Sequence, residues 1–244
     1  MTSPVSAQRR APASPAFVAG WSALRLAGAA LLLVTVLSQL SMTVSNALSA
    51  TTPAAGHLPT VIVNFFSYFT ILSNVFAVIG LGIAGAWSLA RGRDGRTEPR
   101  GLSVLLACVA TFMIVTGIVY NLLLRNIAQV GISAPWINEV LHVLGPLLLL
   151  ADVFFAPSRR RLGWGVLGAI AAFPIAWVVY TLLRANAITA PTTGNPWWYP
   201  YPFLDPHLVG GYPGVAAYVV GIALGILAVG AGVIWVSRRR GADS

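Results

Sequence analysis

The sequence contains no lysine and carries little charge of either sign. Its 244 residues include 15 basic residues, all of them arginine, and only 6 acidic ones. Charged residues make up 9% of the chain and hydrophobic residues 57%, whereas about a quarter of a soluble domain is charged. So few charges cannot cover a water-facing surface, so we expect lipid to surround most of the molecule.

Cysteine is almost absent too. Cys108 is the single cysteine, which excludes an intrachain disulfide and a cysteine metal cluster. Asp205 and His207 are too isolated in the sequence to indicate a metal site, and we expect no cofactor. The net charge of +9 would suggest a nucleic-acid partner for a soluble chain. Here the arginines occupy short connections between apolar runs, so no nucleic-acid partner is expected.

Six apolar runs are each long enough to cross a bilayer, which takes about 20 helical residues. They cover about 22–45, 61–89, 101–124, 136–156, 162–184 and 212–236. The sequence therefore predicts an all-α integral membrane bundle of six transmembrane helices over residues 19–238, with disordered tails over 1–18 and 239–244. The first run is longer than the apolar core of a cleaved signal peptide, which is ~7–15 residues, so we interpret it as an uncleaved anchor.

Arginine divides the connections into two sets. One set, on what we call the arginine-rich side, holds Arg9, Arg10, Arg91, Arg93, Arg96, Arg100, Arg159, Arg160, Arg161, Arg238, Arg239 and Arg240. The alternate connections, on the arginine-poor side, hold only Arg125 and Arg184. Because positive charge resists export, both termini are expected in the cytoplasm. The bias toward arginine, alanine and glycine is typical of a GC-rich bacterial genome, so we expect a bacterial cytoplasmic membrane.

The second span carries polar residues along one face. Asn64, Ser67, Thr70 and Asn74 recur at spacings of three, three and four, which places them in one stripe at about 100° per residue. Polar residues in hydrocarbon usually face the bundle interior. Hydrogen bonds between helices would explain the stripe as well as a functional site would.

The fourth span contains His142, with Glu139 one turn nearer its arginine-poor end. A histidine within a span can simply be a packing residue, although its side chain is also suited to proton transfer near neutral pH. Thr70 and His142 are expected about 13 and 9 Å below that side of the membrane at 1.5 Å per residue. A hydroxyl and an imidazole at matching depth form a potential nucleophile–base pair.

Two further features lie toward the arginine-poor side. Arg125 and Arg184 end the third and fifth spans, where they could reach lipid headgroups or bind a substrate carboxylate in bidentate fashion. The longest connection, about 185–211, is rich in proline and aromatic residues. It suits either the interfacial aromatic belt or a rigid lid over a cavity. The lid candidates are Trp198, Tyr199, Tyr201 and Asp205.

Three segments of the chain are distinctive: Asn64-Phe65-Phe66-Ser67-Tyr68-Phe69-Thr70-Ile71-Leu72-Ser73-Asn74, Tyr120-Asn121-Leu122-Leu123-Leu124-Arg125 and Trp198-Tyr199-Pro200-Tyr201-Pro202-Phe203-Leu204-Asp205. They closely resemble segments of the bacterial Pr-six-Pr family of six-span membrane proteins. The resemblance extends through all six spans and supports the predicted fold. This resemblance does not imply a particular biochemical activity.

A more distant similarity relates the chain to the eukaryotic androgen-induced, androgen-dependent-inhibitor family, whose members hydrolyse fatty acid esters of hydroxy fatty acids. Segments 68–71, 136–142 and 201–205 resemble three short motifs of that family, in the same order and the same spans. This resemblance implies that Thr70 is an intramembrane nucleophile and that His142 is its base.

The sequence and the resemblance together predict an intramembrane lipid-ester hydrolase acting on a membrane lipid or a fatty acid ester. Thr70 and His142 are the expected catalytic residues. Candidates for stabilising the oxyanion or orienting the base are Asn74, Asn138, Tyr120 and Glu139. A non-catalytic protein that binds or transports a lipid-like ligand is the alternative, and a purely structural subunit is a third hypothesis.

Overall fold

The computed structural model describes residues 13–51, 53–127 and 134–241, which are mainly helical and contain no β-strand. We number the helices α1 (Pro15–Leu48), α2 (Pro53–Gly56), α3 (Leu58–Ser67), α4 (Phe69–Arg91), α5 (Arg100–Val119), α6 (Pro135–Glu139), α7 (Gly145–Phe155), α8 (Val166–Ala185) and α9 (Gly211–Arg240). A π-helical turn over Tyr120–Leu124 extends α5, and another over Val140–Leu144 joins α6 to α7.

Within the described residues, six helical segments are long and apolar enough to cross a membrane. They are Pro15–Leu48, Phe69–Arg91, Arg100–Leu124, Pro135–Phe155, Val166–Ala185 and Gly211–Arg240. The predicted six-helix membrane bundle is thereby confirmed, and each segment overlaps one of the apolar runs. The third segment, α5 with its π-turn, is the most buried and packs against α4, α7, α8 and α9.

The predicted tails were too long. Helix α1 begins at Pro15, where proline suits the first helical turn because its missing N–H has no helical partner there, and Ser14 Oγ accepts a hydrogen bond from the Phe17 N–H. Helix α9 continues to Arg240. The remaining tail residues, 1–12 and 242–244, lie outside the described residues.

The predicted second span is not one continuous helix. Helix α3 ends at Ser67, Tyr68 adopts an extended conformation (φ −71°, ψ 126°), and α4 begins at Phe69. No proline or glycine marks the break in the sequence. The first backbone N–H groups of α4 have no partner within the helix, and one of them, that of Thr70, donates to the Tyr201 hydroxyl, 131 residues away. A contact this distant in sequence is not visible in local periodicity.

Glycines let α5 and α7 approach closely. A Cβ atom added at Gly117 would lie 2.9 Å from Cβ of Pro146, and one added at Gly145 would lie 2.8 Å from Cε of Met113. Small residues at membrane helix interfaces allow such contact. This close approach brings together the two π-helical turns that carry Tyr120 and His142.

A buried ionic cluster, which the sequence reading did not identify, joins three parts of the chain near the arginine-rich side. Arg25 of α1 contacts Glu98 at 2.9 Å (Nη2–Oε1) and Asp152 of α7 at 2.7 Å (Nε–Oδ1). Arg159 contacts the second oxygen of Asp152 at 2.7 Å. The side chains of Arg25, Glu98 and Asp152 are at most 2% exposed. Charges buried to this degree need partners, and here each has at least one.

The arginine distribution predicts which side of the membrane each connection faces. In a Cys108→Ala background, Thr51→Cys and Thr192→Cys should react with an impermeant thiol reagent on intact cells, because both residues are exposed in arginine-poor connections and these are expected outside. Asp94→Cys and Gly163→Cys, exposed in arginine-rich connections, should react only after the cells are permeabilised. The opposite labelling pattern would invert the orientation.

Candidate functional site

An apolar cavity of about 130 Å³ lies inside the bundle, bounded by α4, α5, α8, α9 and the segment that follows Pro200. Most of its wall is aliphatic or aromatic. The lining residues that carry hydroxyl groups are Thr70, Thr116, Tyr120 and Tyr201. Because its wall is largely apolar with a few polar groups, the cavity suits a short stretch of hydrocarbon.

Thr70 lies in the first turn of α4, at the helix break. Its side chain lines the cavity, and the residue is only 9% exposed. Its Oγ1 lies 3.2 Å from the Tyr201 hydroxyl, and its backbone N–H donates to the same hydroxyl at 3.1 Å. The partial positive charge of a helix N-terminus therefore acts next to the Thr70 side chain, within the membrane-spanning bundle.

Tyr201, predicted as part of a lid, instead lies under the loop as the partner of Thr70. Its ring packs at right angles to Tyr68 (5.6 Å between centroids) and stacks on Phe203 (5.0 Å). Burial raises the pKa of the Tyr201 phenol, so the hydroxyl stays protonated. Because this oxygen accepts from the Thr70 N–H, its own hydrogen is available to Thr70 Oγ1 or to an oxygen of a ligand.

His142 lies in the π-helical turn between α6 and α7. Its Nδ1 is 2.9 Å from the backbone oxygen of Asn138. A carbonyl oxygen can only accept, so Nδ1 carries a hydrogen, and the neutral ring presents Nε2 as an acceptor. This is the tautomer that a general base requires. π-Helical turns occur frequently at functional sites.

Tyr120 connects His142 to the cavity. Its ring stacks on the imidazole at 3.9 Å between centroids, and its side chain lines the cavity. The Asn138 amide donates to the Tyr120 hydroxyl, which leaves the phenol hydrogen free to donate elsewhere. Tyr120 and Tyr201 are therefore two phenol donors on the wall of one cavity.

The structure places Thr70 and His142 near a shared residue without bonding them to each other. Among the hydrogen bonds of the described residues, none joins the two side chains. Asn74 lies between their backbones, where its Nδ2 donates to Thr70 O at 2.8 Å and to Leu141 O at 3.3 Å. Both amide hydrogens of Asn74 are thus engaged, and it connects α4 to the turn that carries His142.

Glu139 lies on the arginine-poor side and pairs with Arg125. The two Arg125 Nη atoms lie 3.0 and 3.1 Å from the two Glu139 oxygens. Both side chains are well exposed, at 39% and 45%. Glu139 therefore neutralises Arg125, and the orienting contact of the His142 ring comes from the Asn138 backbone instead.

Arg184, which was predicted to bind a substrate carboxylate, lies beside the long connection over about 185–211. Its Nη2 donates to Asn64 Oδ1 at 2.7 Å, and its guanidinium lies 5.6 Å from the centre of the Trp198 ring. The loop is held locally: the Trp198 N–H donates to Ala185 O at 2.9 Å, and Asp205 Oδ1 accepts from the His207 N–H at 2.9 Å.

Tyr199 and Asp205 take positions away from the cavity wall, whereas Tyr201 is part of it. Tyr199 contacts Asn186 at 3.5 Å. Sequence reasoning grouped these residues as one aromatic segment and could not separate their roles, because proline-rich loops have no regular side-chain period. Tyr201 is the extended residue directly before the three-residue helical turn Pro202–Leu204.

Comparison with known proteins gives no assignment for this arrangement. No protein-family model matches the chain, and no significant similarity to a curated protein or a solved structure was found.

Proposed function

We propose that this chain is an intramembrane lipid-ester hydrolase, in which the cavity holds the part of an acyl chain nearest the ester and Thr70 attacks the ester carbonyl. The observation that carries the proposal is the position of Thr70. Its hydroxyl lies on the wall of an apolar cavity, in the first turn of a helix and beside a protonated phenol. An acyl chain in the cavity would therefore meet a hydroxyl nucleophile and hydrogen-bond donors at the same wall.

The proposed reaction has two stages. The Thr70 oxygen bonds to the ester carbonyl carbon as its proton passes to Nε2 of His142, and the alcohol then leaves with that proton. Water next attacks the acyl-threonine, gives its proton to His142, and releases the fatty acid while Thr70 recovers its proton. Tyr201 must release the Thr70 hydroxyl when the substrate binds, because the two are hydrogen-bonded without it.

Hydrogen-bond donors for the developing oxyanion are available on the cavity wall. The Tyr120 and Tyr201 hydroxyls each accept one hydrogen bond and keep a hydrogen to donate. The N-terminus of α4 adds its partial positive charge. In a dry site, donors fixed in advance can supply a large part of transition-state stabilisation.

One observation favours a second candidate, a protein that binds a lipid-like ligand without cleaving it. The Thr70 hydroxyl bonds to Tyr201 and not to His142, so Thr70 can also be explained as a polar residue of the cavity wall with no catalytic role. Both candidates share the same binding site and differ only in chemistry.

Filling the cavity tests the site that both candidates need. Ala223 and Ala228 are both exposed residues of α9, but only Ala223 lines the cavity. Ala223→Trp should reduce crosslinking of an uncharged diazirine-bearing fatty alcohol by about tenfold, a loss of one power of ten in affinity. Ala228→Trp should leave the crosslinking unchanged. Equal crosslinking in both variants would exclude the cavity as the binding site.

A further inference from the structure

The two arginines on the arginine-poor side have different partners. Arg125 is paired with the carboxylate of Glu139. Arg184 contacts only neutral groups through its hydrogen bonds: Asn64 Oδ1 at 2.7 Å and, more weakly, Ser67 Oγ at 3.5 Å. The two arginines occupy equivalent positions in the sequence, at the ends of the third and fifth spans, but their hydrogen-bond partners differ.

No carboxylate on this side of the described chain is left over for Arg184. Glu139 pairs with Arg125, and Asp205 pairs with His207 at 2.8 Å. The remaining described acidic residues, Asp94, Glu98 and Asp152, lie toward the arginine-rich side. Arg184 is therefore a cation whose described partners leave its charge uncompensated.

Asn64, the partner of Arg184, carries a second unmatched donor. A guanidinium can only donate, so the Asn64 oxygen must face Arg184 and the orientation of the amide is fixed. Its Nδ2 is then buried without a hydrogen-bond acceptor, in a residue that is 6% exposed. Buried polar groups in folded proteins normally have partners. A cation and a buried donor on adjacent side chains both lack a negatively charged acceptor.

The neighbouring hydroxyl groups do not supply a negatively charged acceptor for Arg184 and Asn64. The Ser67 hydroxyl donates to Val63 O at 2.7 Å, so its contact with the Tyr180 hydroxyl at 3.1 Å uses the Tyr180 hydrogen. The backbone oxygen of Ser67 accepts from the Trp177 indole at 2.9 Å, and Trp177 also lines the cavity. Ser67 therefore contacts both Arg184 and Trp177, a residue of the cavity wall.

We propose that Arg184 and Asn64 form a subsite for one anionic group, a carboxylate or a phosphate, on a lipid whose chain occupies the cavity. The subsite rests on the proposed function for the position of that chain. The guanidinium supplies charge and the Asn64 amide supplies a fixed donor, and hydrogen bonds between charged groups are stronger than neutral ones. The Trp198 ring over Arg184 restricts the guanidinium.

Competition against the uncharged diazirine fatty alcohol separates this subsite from the cavity. In a Thr70→Ala background, which removes the proposed nucleophile so that ester competitors are not cleaved, protein in nanodiscs should be protected by palmitate at about tenfold lower concentration than by methyl palmitate, since only the acid is charged. Phosphatidic acid and diacylglycerol with the same chains form the second pair and test a phosphate source. A preference within either pair supports the subsite and identifies the anion.

Two variants and a matched control test whether Arg184 and Asn64 cause the preference for the anionic competitor. Arg184→Gln should abolish this preference. Asn64→Asp, which places a carboxylate against Arg184 with almost no change in shape, should abolish it too while methyl palmitate competes as before. Arg125→Gln, which removes an arginine already paired with Glu139, should keep the preference.

The outcomes separate the two proposals. Labelling by the alcohol with no preference within either pair would overturn the anion subsite and leave the cavity in place. A preference that Arg125→Gln removes and Arg184→Gln keeps would also overturn it. If the protein is not labelled, or if Ala223→Trp does not reduce the labelling, the proposed function fails together with the subsite.

Discussion

Thr70→Ala and His142→Ala should each abolish hydrolysis of a long-chain ester by purified protein. Loss of the nucleophile removes the covalent route, and loss of a general base typically costs about 10²–10⁴-fold. The double variant should be no slower than the slower single variant, because residues that share one step do not contribute additively. Initial rates across a panel of esters provide the measurement.

Matched controls separate chemistry from cavity shape. Thr116 lines the same cavity and bonds through its hydroxyl to Ser73 at 3.1 Å, so Thr116→Ala should retain most of the rate. His207 is exposed in the loop, and His207→Ala should do the same. Thr70→Ser should keep part of the activity, since the hydroxyl survives. Equal losses in Thr70→Ala and Thr116→Ala would indicate altered packing instead of a missing nucleophile.

Arg25→Leu should lower the free energy of unfolding by about 3–5 kcal/mol, the usual cost of removing one partner from a buried ion pair. Glu98 would lose its 2.9 Å contact, and Asp152 would keep Arg159 and the Trp21 indole. The double variant Arg25→Leu/Glu98→Leu should recover much of the loss, because it leaves the Arg159–Asp152 pair intact and strands no charge.

Arg91→Leu is the control for the ionic cluster. Arg91 is exposed at the end of α4, and surface substitutions usually change stability by about 0.5 kcal/mol or less. Reversible unfolding in mixed micelles, followed by the tryptophan signal, would compare the variants. A double variant that is less stable than Arg25→Leu alone would contradict the account of a compensated cluster.

Hydropathy predicted the bundle because a helix must be predominantly apolar over about 20 residues to cross a bilayer. The six segments follow from this one requirement, and their number is confirmed. The break at Tyr68 could not be predicted, since no local signal marks it and the Thr70 N–H is satisfied by Tyr201 from a distant loop.

The candidate site was predictable only in part. The spacing of Asn64, Ser67, Thr70 and Asn74 indicated an inward position, and all four residues are buried, although the break at Tyr68 divides them between α3 and α4. The role of each residue on that face depended on partners from other helices. Asn74 donates both amide hydrogens to backbone carbonyl oxygens, and Tyr201, a lid candidate in the sequence, forms part of the cavity wall.

Charged residues within the spans were the clearest omission. Arg25 and Asp152 lie in apolar runs whose mean hydropathy remains high even though each run contains a charged residue. Their pairing spans 127 residues, so only the folded bundle reveals that the two charges compensate each other. A separate search for charged residues inside each predicted span would have found both, since such residues usually pair.

The most direct test of the hydrolase proposal is covalent labelling with a long-chain fluorophosphonate, followed by peptide mass spectrometry. The phosphonate forms a stable bond to an activated hydroxyl and releases fluoride, so it reports the nucleophile without requiring turnover. The proposal predicts modification of Thr70 in the wild-type protein and loss of that modification in His142→Ala. Folded protein that remains unmodified at Thr70, or that is modified equally in His142→Ala, would contradict it.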